Sequence, residues 1–436
     1  MNIITLTIVA VFSIIMLYRI CSISGAALPN QSSLTKYITS NEQSYSSDNH
    51  VNIYDILRIA AESLAFRIFI YFISYLALIL IYRDSQTFLD WWLKWDATNY
   101  IGIAEGGYKN IVVDNVAVMG DGVYQTLVFF PLYPALTWLV SFIIRNVQIA
   151  ALVTSSLCYA GGCIFLYMAA ALKYNKSMAE KTVILISVFP FSFFFGAMLP
   201  ESTFLLVGSA CIYFTFKKKW WIAGLFGMLG ALSRMQGILL VVFMGIEWLE
   251  SNQIFLLIRK KEWRTFFSKL IGLIPILMVV LGSFIYLLIN YINTGDFMYF
   301  MKLQNNVWGH SFKDVGCGIQ NIFNNLLADD VEMNLKFSVW APQLILFFLT
   351  IYMLFRCFRR HRDSLTAFLF VYTLISYSTD FLVSGGRYLS IALPLFMFTA
   401  ELCEKRPVLY RWLIMTGLLL QMVLMCCHLS GFNMVT

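Results

Sequence analysis

Charge is scarce in this chain of 436 residues. Only 13% of its residues are Asp, Glu, Lys or Arg, and 59% are hydrophobic, whereas soluble domains carry about 25% charge and about 45–50% apolar residues. That deficit excludes a soluble multidomain enzyme, a disordered chain and a nucleic-acid binder. Histidine is rarer still: His50, His310, His361 and His428 stand far apart and none belongs to an HExxH pattern, so no zinc centre is expected. The nine cysteines contain no CxxC pair. Cys211 lies inside an apolar run and Cys426-Cys427 close the last one, places where a thiol acts as a small hydrophobe, and no disulfide follows from them.

What the chain has in abundance is apolar runs. A spanning helix needs about 20 mostly apolar residues. Segments near 3–18, 64–82, 127–145, 149–172, 182–198, 202–216, 220–248, 270–291, 339–355, 365–382, 388–402 and 409–428 meet or approach this. They predict an all-α polytopic membrane protein of about twelve transmembrane helices, without a soluble domain or a clear internal repeat. Residues 1–63 form an N-terminal apolar segment and a polar, Ser- and Asn-rich loop, and 64–436 the multi-pass domain. The apolar stretch 2–18 has the length of a signal-peptide core and small residues follow at Ser24-Gly25-Ala26-Ala27, but no basic region precedes it. The better expectation is a first, uncleaved span.

The net charge of +7 reports topology before it reports an anionic partner. Arg259, Lys260, Lys261, Arg264 and Lys269 face one acid, Glu262; 356–362 reads RCFRRHR; Lys217-Lys218-Lys219 and Lys405-Arg406 add further clusters. These ends should be cytoplasmic. The two long polar gaps, 83–126 and 292–338, have three bases each against six and five acids, and should be large exterior loops. One parity conflict arises. Two full spans within 127–172 would return the chain to the exterior, yet Lys173, Lys176 and Lys181 follow. Either these lysines are outside or one span is re-entrant.

Five short stretches hold the polar residues that could do chemistry. In WWLKWDATNYIGIAEGGY, Ala97, Tyr100, Ile101 and Ala104 share one helical face. Trp91, Trp92 and Trp95 just before them suggest an interfacial helix. Asp96 is then either a carboxylate placed to take a proton from an attacking hydroxyl or an N-cap accepting from the Asn99 amide. FFPLYP, 129–134, marks a loop–helix junction. Glu201, after Pro200, is the only acid between Lys181 and Glu247; it could bind a sugar hydroxyl or a metal, or reach interfacial water from a turn. Arg234, inside 220–248, suits a phosphate, or caps a turn if that run is a hairpin. Arg387 in Gly385-Gly386-Arg387-Tyr388 could hold a phosphate or one of the acids, or be ordinary flanking charge. In the second large loop Gln304, Trp308 and His310 are candidates for sugar contact, and Asp329-Asp330 is a cation site or, more simply, a solvated acidic turn. A carboxylate with two cationic clamps at one membrane face fits group transfer from a lipid phosphate.

WDATNYIGIAEGGY followed by FFPLYP resembles the mannosyltransferases that add the second mannose of GPI anchors, and their bacterial relatives. Further similarities are FFFGAMLPESTF (193–204), SRMQG (233–237), Gln304 with Trp308, and GGRYLSIALPLF (385–396), in the same order from about 90 to 400. The resemblance implies a GT-C-like fold and an inverting transfer from a polyprenyl-phosphate sugar, dolichyl- or undecaprenyl-linked, to a lipid-linked or glycan acceptor on the non-cytoplasmic face. It implies Asp96 as catalytic base and Trp95, Glu201, Arg234, Gln304, Trp308, Arg387 and Tyr388 in substrate binding. No resident cofactor is implied beyond that lipid-phosphate co-substrate, although a divalent metal is possible. The membrane would be the bacterial plasma membrane or the endoplasmic reticulum. Residues 1–60 and the wording of SRMQG depart from the eukaryotic pattern and favour a bacterial relative with another acceptor. The rival readings are a lipid or sugar transporter or flippase, which predicts repeats and charges spread through the bilayer depth, and an inactive structural subunit.

Overall fold

The structure, a computed structural model, describes residues 2–26, 51–82, 87–109, 125–307, 309–358, 363–380 and 382–431. Most of the Ser- and Asn-rich loop with His50, half of the first acidic loop, Trp308 and 359–362 with His361 lie outside the described residues. Those described are almost entirely helical. Their only β pairing is an isolated antiparallel bridge between Phe312 and Thr379.

Among the described residues, five helices are long and apolar enough to cross a membrane: Ile53–Leu80, Val147–Lys173, Trp263–Thr294, Met333–Cys357 and Pro407–Leu429. The chain is that of an integral membrane protein. Several of the other expected spans form shorter or interrupted helices, while the first lies in the 22-residue helix Asn2–Ile23. The run 182–198 is helical only to Ser187, the end of Lys176–Ser187. Pro190 cannot extend it, and 188–200 continues as buried irregular chain around a tight turn, Ser192–Gly196. The run 220–248 breaks into Trp220–Ser233 and Leu240–Asn252. The run 388–402 divides into Gly385–Ser390 and Leu393–Cys403.

Helix–helix packing relies on glycine, as it must where apolar surface alone does not drive association. A Cβ on Gly224 would stand 2.2 Å from the Pro275 carbonyl oxygen, one on Gly227 2.6 Å from Val279, and one on Gly282 2.3 Å from the Met228 carbonyl oxygen. These pairings ascend together, so Trp220–Ser233 runs parallel to Ile274–Thr294. The N-terminal helix Asn2–Ile23 joins the same body, with Phe12 buried 4.7 Å from the ring of Phe370.

The ends of the bundle differ in charge. At one end stand Lys217–Lys219, Lys173 with its ammonium 4.9 Å from the Phe216 ring, and Lys176 bonded to Asp55 at 2.9 Å. Lys181 pairs there with Glu404, and Arg58 with Glu180. Lys173, Lys176 and Lys181 therefore belong with the other basic clusters. The parity conflict resolves through Leu132–Ile144, which covers only roughly 20 Å. It pairs with the opening turns of Val147–Lys173, where the Tyr133 hydroxyl donates to the Ala151 carbonyl at 3.2 Å. It thus folds back without reaching the basic end.

At the far end, the second large loop is tied to the end of Asp363–Tyr377. Asp380 accepts from the Ser311 amide at 2.7 Å and from its hydroxyl. Burial opposes ionisation of Asp380, but the Ser311 bonds outweigh it and hold the carboxyl below its usual range. This anchor is intact above the ordinary carboxylate pKa and is lost as pH falls through the lowered one.

Gly224→Ala forces a backbone shift against Pro275 and should cost about 1–3 kcal/mol, seen as a lower thermal transition of the purified protein. Gly245→Ala, where an added Cβ meets nothing within 4 Å, should leave the transition unchanged or raise it. Equal behaviour of the two variants would contradict the packing described.

Candidate active site

The first acidic segment enters the site on an aromatic footing. Thr87 and Asp90 form a capping box on Phe88–Trp92, and the Thr87 hydroxyl and amide hold the Asp90 carboxyl below the usual carboxylate range. Trp91 and Trp92 are buried, and the Trp92 indole donates to Ser74 at 3.3 Å. They are therefore core residues and not an interfacial belt; only Trp95 is exposed. Trp95 has φ 54° and ψ −127°, a conformation rare for a bulky side chain. It reverses the chain so that Asp96 opens helix Asp96–Gly106. The expected face is buried as read, with Tyr100 edge-on to Phe129 at 5.0 Å and to Tyr133 at 5.6 Å.

Asp96 does not cap this helix. The cap position is Trp95, without a side-chain bond, and the Asp96 carboxylate instead accepts from Arg387 Nη1 at 2.7 Å. Arg387 lies on Gly385–Ser390. Gly386 allows that short helix to press on Phe191, whose ring would be 2.4 Å from any Cβ there. The Arg387 Nε donates to Glu201 Oε1, and the same oxygen accepts from Arg234 Nη1. Four charged residues from four distant segments thus form one chain of ion pairs, Asp96–Arg387–Glu201–Arg234.

Each acid opens a helix, where the macrodipole favours a negative charge. Glu201 follows Pro200 at the start of Glu201–Phe216 and is fully buried. Arg234 sits in extended backbone between two helices. It does end a helix, as the hairpin reading has it, but its side chain also joins the cluster. Gly237 is indispensable to that break, because a Cβ there would lie 2.0 Å from the Gly230 carbonyl oxygen. Aromatic rings complete the walls. The Arg234 guanidinium lies 5.3 Å from the Tyr388 ring and that of Arg387 5.5 Å from Phe194, within cation–π range. Tyr372 fixes Tyr388 by donating to its carbonyl at 2.7 Å.

The charge balance is exact in formal terms: two carboxylates, two guanidiniums. The distribution is not even. Asp96 is the most exposed member, its side chain 29% accessible against 8% or less for the other three. Glu201 Oε1 takes two donors, while its buried Oε2 has none. Among the described residues no group of three or more His, Cys, Asp or Glu gathers as a metal site. Asp329 and Asp330 are exposed and belong to no such group.

Of the other expected residues, Tyr388 joins the cluster and Trp95 flanks it. Gln304 is half-buried on Tyr299–Asn306. Its carbonyl accepts from the His310 amide at 2.8 Å, and its side chain pairs with none of the four charges. Trp308 lies outside the described residues. His428, with no role assigned from sequence, is buried against Phe193 and Phe194.

Sequence reasoning missed Arg67. It is fully buried midway along Ile53–Ala77, 4.2 Å above the Tyr159 ring, and donates to the Ser192 carbonyl at 3.4 Å. Its Nη1 also abuts Gly196, where a Cβ would be 2.9 Å away. It supports the 192–196 turn, as Arg387 does beside the Phe194 ring. The available signal was a lone arginine inside an apolar run.

No family model matches the chain, and no curated protein matches it. Among solved structures it is similar to the Archaeoglobus fulgidus oligosaccharyltransferase, crystallised tethered to an acceptor peptide containing the NVT sequon, with a TM-score of 0.45 and 12% identity. The alignment covers 88% of this chain and 56% of that one, so the chain spans a little over half the length of the enzyme it matches.

Glu201→Gln leaves the two buried guanidiniums with only Asp96 between them. It should destabilise the protein by about 3–5 kcal/mol, read as a lower thermal transition in detergent. Adding Arg234→Met should recover part of the loss, since one uncompensated charge is removed. A single variant as stable as the wild type would show that Glu201 is not the shared partner.

Proposed function

We propose that this chain is a membrane glycosyltransferase of GT-C type that moves a sugar, mannose by its resemblance, from a polyprenyl phosphate to an acceptor hydroxyl with inversion. The observation that carries this reading is the 2.7 Å pair between Asp96 and Arg387 within the four-residue ion-pair chain. The resemblance singles out these same four positions on grounds that know nothing of their proximity.

The chemistry follows from the balance of charge. Asp96 takes the proton as the acceptor oxygen bonds to the sugar C1. The bond from C1 to the phosphate oxygen breaks, and the electron pair leaves with the lipid phosphate. That phosphate gains negative charge as it departs, so it needs cations and not an acid, and Arg387 and Arg234 supply them. In the present state both are already neutralised. A donor phosphate must compete for a guanidinium, and the Asp96–Arg387 pair, whose carboxylate is the most accessible of the four charges, is the one it can open. Donor binding then frees the base just when there is a sugar to transfer, which disfavours idle hydrolysis. Glu201 stays buried and keeps both guanidiniums in place.

Orientation supports the same reading. Trp220–Ser233, roughly 21 Å long, carries Lys217–Lys219 before its start and Arg234 at its end. With the lysines cytoplasmic, the site belongs to the far, non-cytoplasmic half of the bilayer, where a lipid-carried sugar would be presented.

Purified protein given labelled polyprenyl-phosphate mannose and candidate acceptors should form a lipid-linked or glycan product. Asp96→Asn should abolish transfer while its thermal transition stays close to that of the wild type; wild-type turnover in that variant removes Asp96 from the mechanism. The same variant releases Arg387, so it should bind sugar-free polyprenyl phosphate more tightly, on the order of tenfold, the worth of one charge-assisted hydrogen bond. Unchanged or weaker binding would mean that Asp96 does not compete with phosphate for Arg387.

A further inference from the structure

Away from the ion-pair chain, one surface combines features that the proposed chemistry does not use. Helix Trp263–Thr294 has 32 residues and extends roughly 48 Å, about 18 Å more than the hydrocarbon core of a bilayer. Charge decides where the surplus lies. Arg264 and Lys269 are the only charged residues in this helix, and both fall in its opening segment, Trp263–Leu270, which has no buried residue. The tight turn Ile271–Leu273 and then Pro275 separate that segment from the long apolar stretch.

The opening segment is not simply a solvated extension. Trp263 and Phe267 are 50% and 63% exposed, and with Ile271, Ile274, Leu277 and Leu281 they follow helical spacing along one exposed stripe. The lower part of this stripe is the outer surface of a spanning helix, facing lipid. Its continuation places the Trp263 and Phe267 rings at headgroup level. Aromatic rings above a hydrocarbon-facing surface favour that depth.

Around these rings stand five exposed cations, Arg259, Lys260, Lys261, Arg264 and Lys269, and one acid, Glu262. None of the five pairs with a carboxylate among the described residues, unlike Lys173, Lys176 and Lys181 at the same end, which bond to Glu247, Asp55 and Glu404. An unpaired basic cluster in continuous register with a lipid-facing stripe is complementary to one neighbour. We infer that residues 259–271 form a binding surface for anionic phospholipid headgroups in the leaflet at the basic end. The apolar rings enter the acyl boundary, and Arg264 with Lys260 and Lys261 holds the phosphates. This surface is separate from the ion-pair site and stands whether or not the chain transfers sugar.

The test uses the full chain in phosphatidylcholine vesicles in which a fixed fraction of lipid is replaced by brominated phosphatidylglycerol or brominated phosphatidylcholine. The readout is quenching of Trp263, taken as the difference between wild type and Trp263→Phe. Quenching should be stronger with the brominated anionic lipid. The preference should fall about fivefold, ~1 kcal/mol, for each cation replaced by Gln, and should collapse in the Lys260→Gln/Lys261→Gln/Arg264→Gln variant. Should that variant fail to fold, salt added to the wild type decides, because a headgroup preference must weaken with ionic strength. Equal quenching by the two lipids, no quenching of Trp263 by either, or a preference untouched by substitution and salt would each overturn the inference.

Discussion

Two guanidiniums share one carboxylate oxygen in an interior with little water, and the rest of the architecture serves that arrangement. An unpaired charge at such depth costs several kcal/mol, so Glu201, Arg234 and Arg387 can be buried only together. The consequence is visible in the helices. Asp96 and Glu201 open theirs, Arg234 occupies a break and Arg387 lies on a six-residue helix. Unbroken spanning helices would have left no room for four side chains to converge. Irregular backbone at membrane depth is tolerable where it lines a polar pocket within the protein. The buried turn at 192–196, in contact with both Arg67 and Arg387, is such a stretch.

The network is neutral but not symmetrical. Its interior link is shielded by rings: Tyr388 beside Arg234, Phe194 beside Arg387. Its outer link, Arg387 to Asp96, meets solvent. An incoming anion therefore meets the Asp96 carboxylate first, with the Arg387 guanidinium buried behind it. Rigidity at Glu201 with exchange at Asp96 suits the proposed transfer, in which a phosphate binds before a base is released. The small residues nearby have a matching role. Gly237 and Gly386 have no side chain because the Gly230 carbonyl and the Phe191 ring occupy the space, so the two arginines can approach one oxygen.

The two ends of the bundle divide the labour. At the basic end, half-exposed pairs such as Lys176–Asp55 join neighbouring helices, each with a modest contribution of about 0–1 kcal/mol, and the unpaired cations of 259–269 meet the membrane surface. At the other end the second large loop is held by Asp380 and Ser311. The first large loop is held by Trp92 on Ser74 and by Tyr100 among Phe129 and Tyr133.

Much of this was legible from local pattern. Apolar runs of sufficient length predict the membrane helices, lysine and arginine clusters predict the basic end, and the spacing of Ala97, Tyr100, Ile101 and Ala104 predicts the buried face of helix Asp96–Gly106. Each of these depends on residues within one or two helical turns of one another. The breaks were harder. The runs 182–198 and 220–248 are apolar almost throughout; Pro190 marks the first break in the sequence, whereas only the packing of Gly237 on Gly230 shows where the second helix stops. Trp91 and Trp92 read as interfacial because composition does not distinguish a ring facing lipid from one facing Ser74. Asp96 read as a base or as a cap because spacing could not say which of the acids Arg387 would meet. Its actual partner is 291 residues away. The sequence by itself determined that these charges are few, isolated and set among apolar residues, and so had to find counter-ions. Which charge meets which was decided by the tertiary structure alone, because ion pairing depends on distance in space and no periodicity along the chain encodes it.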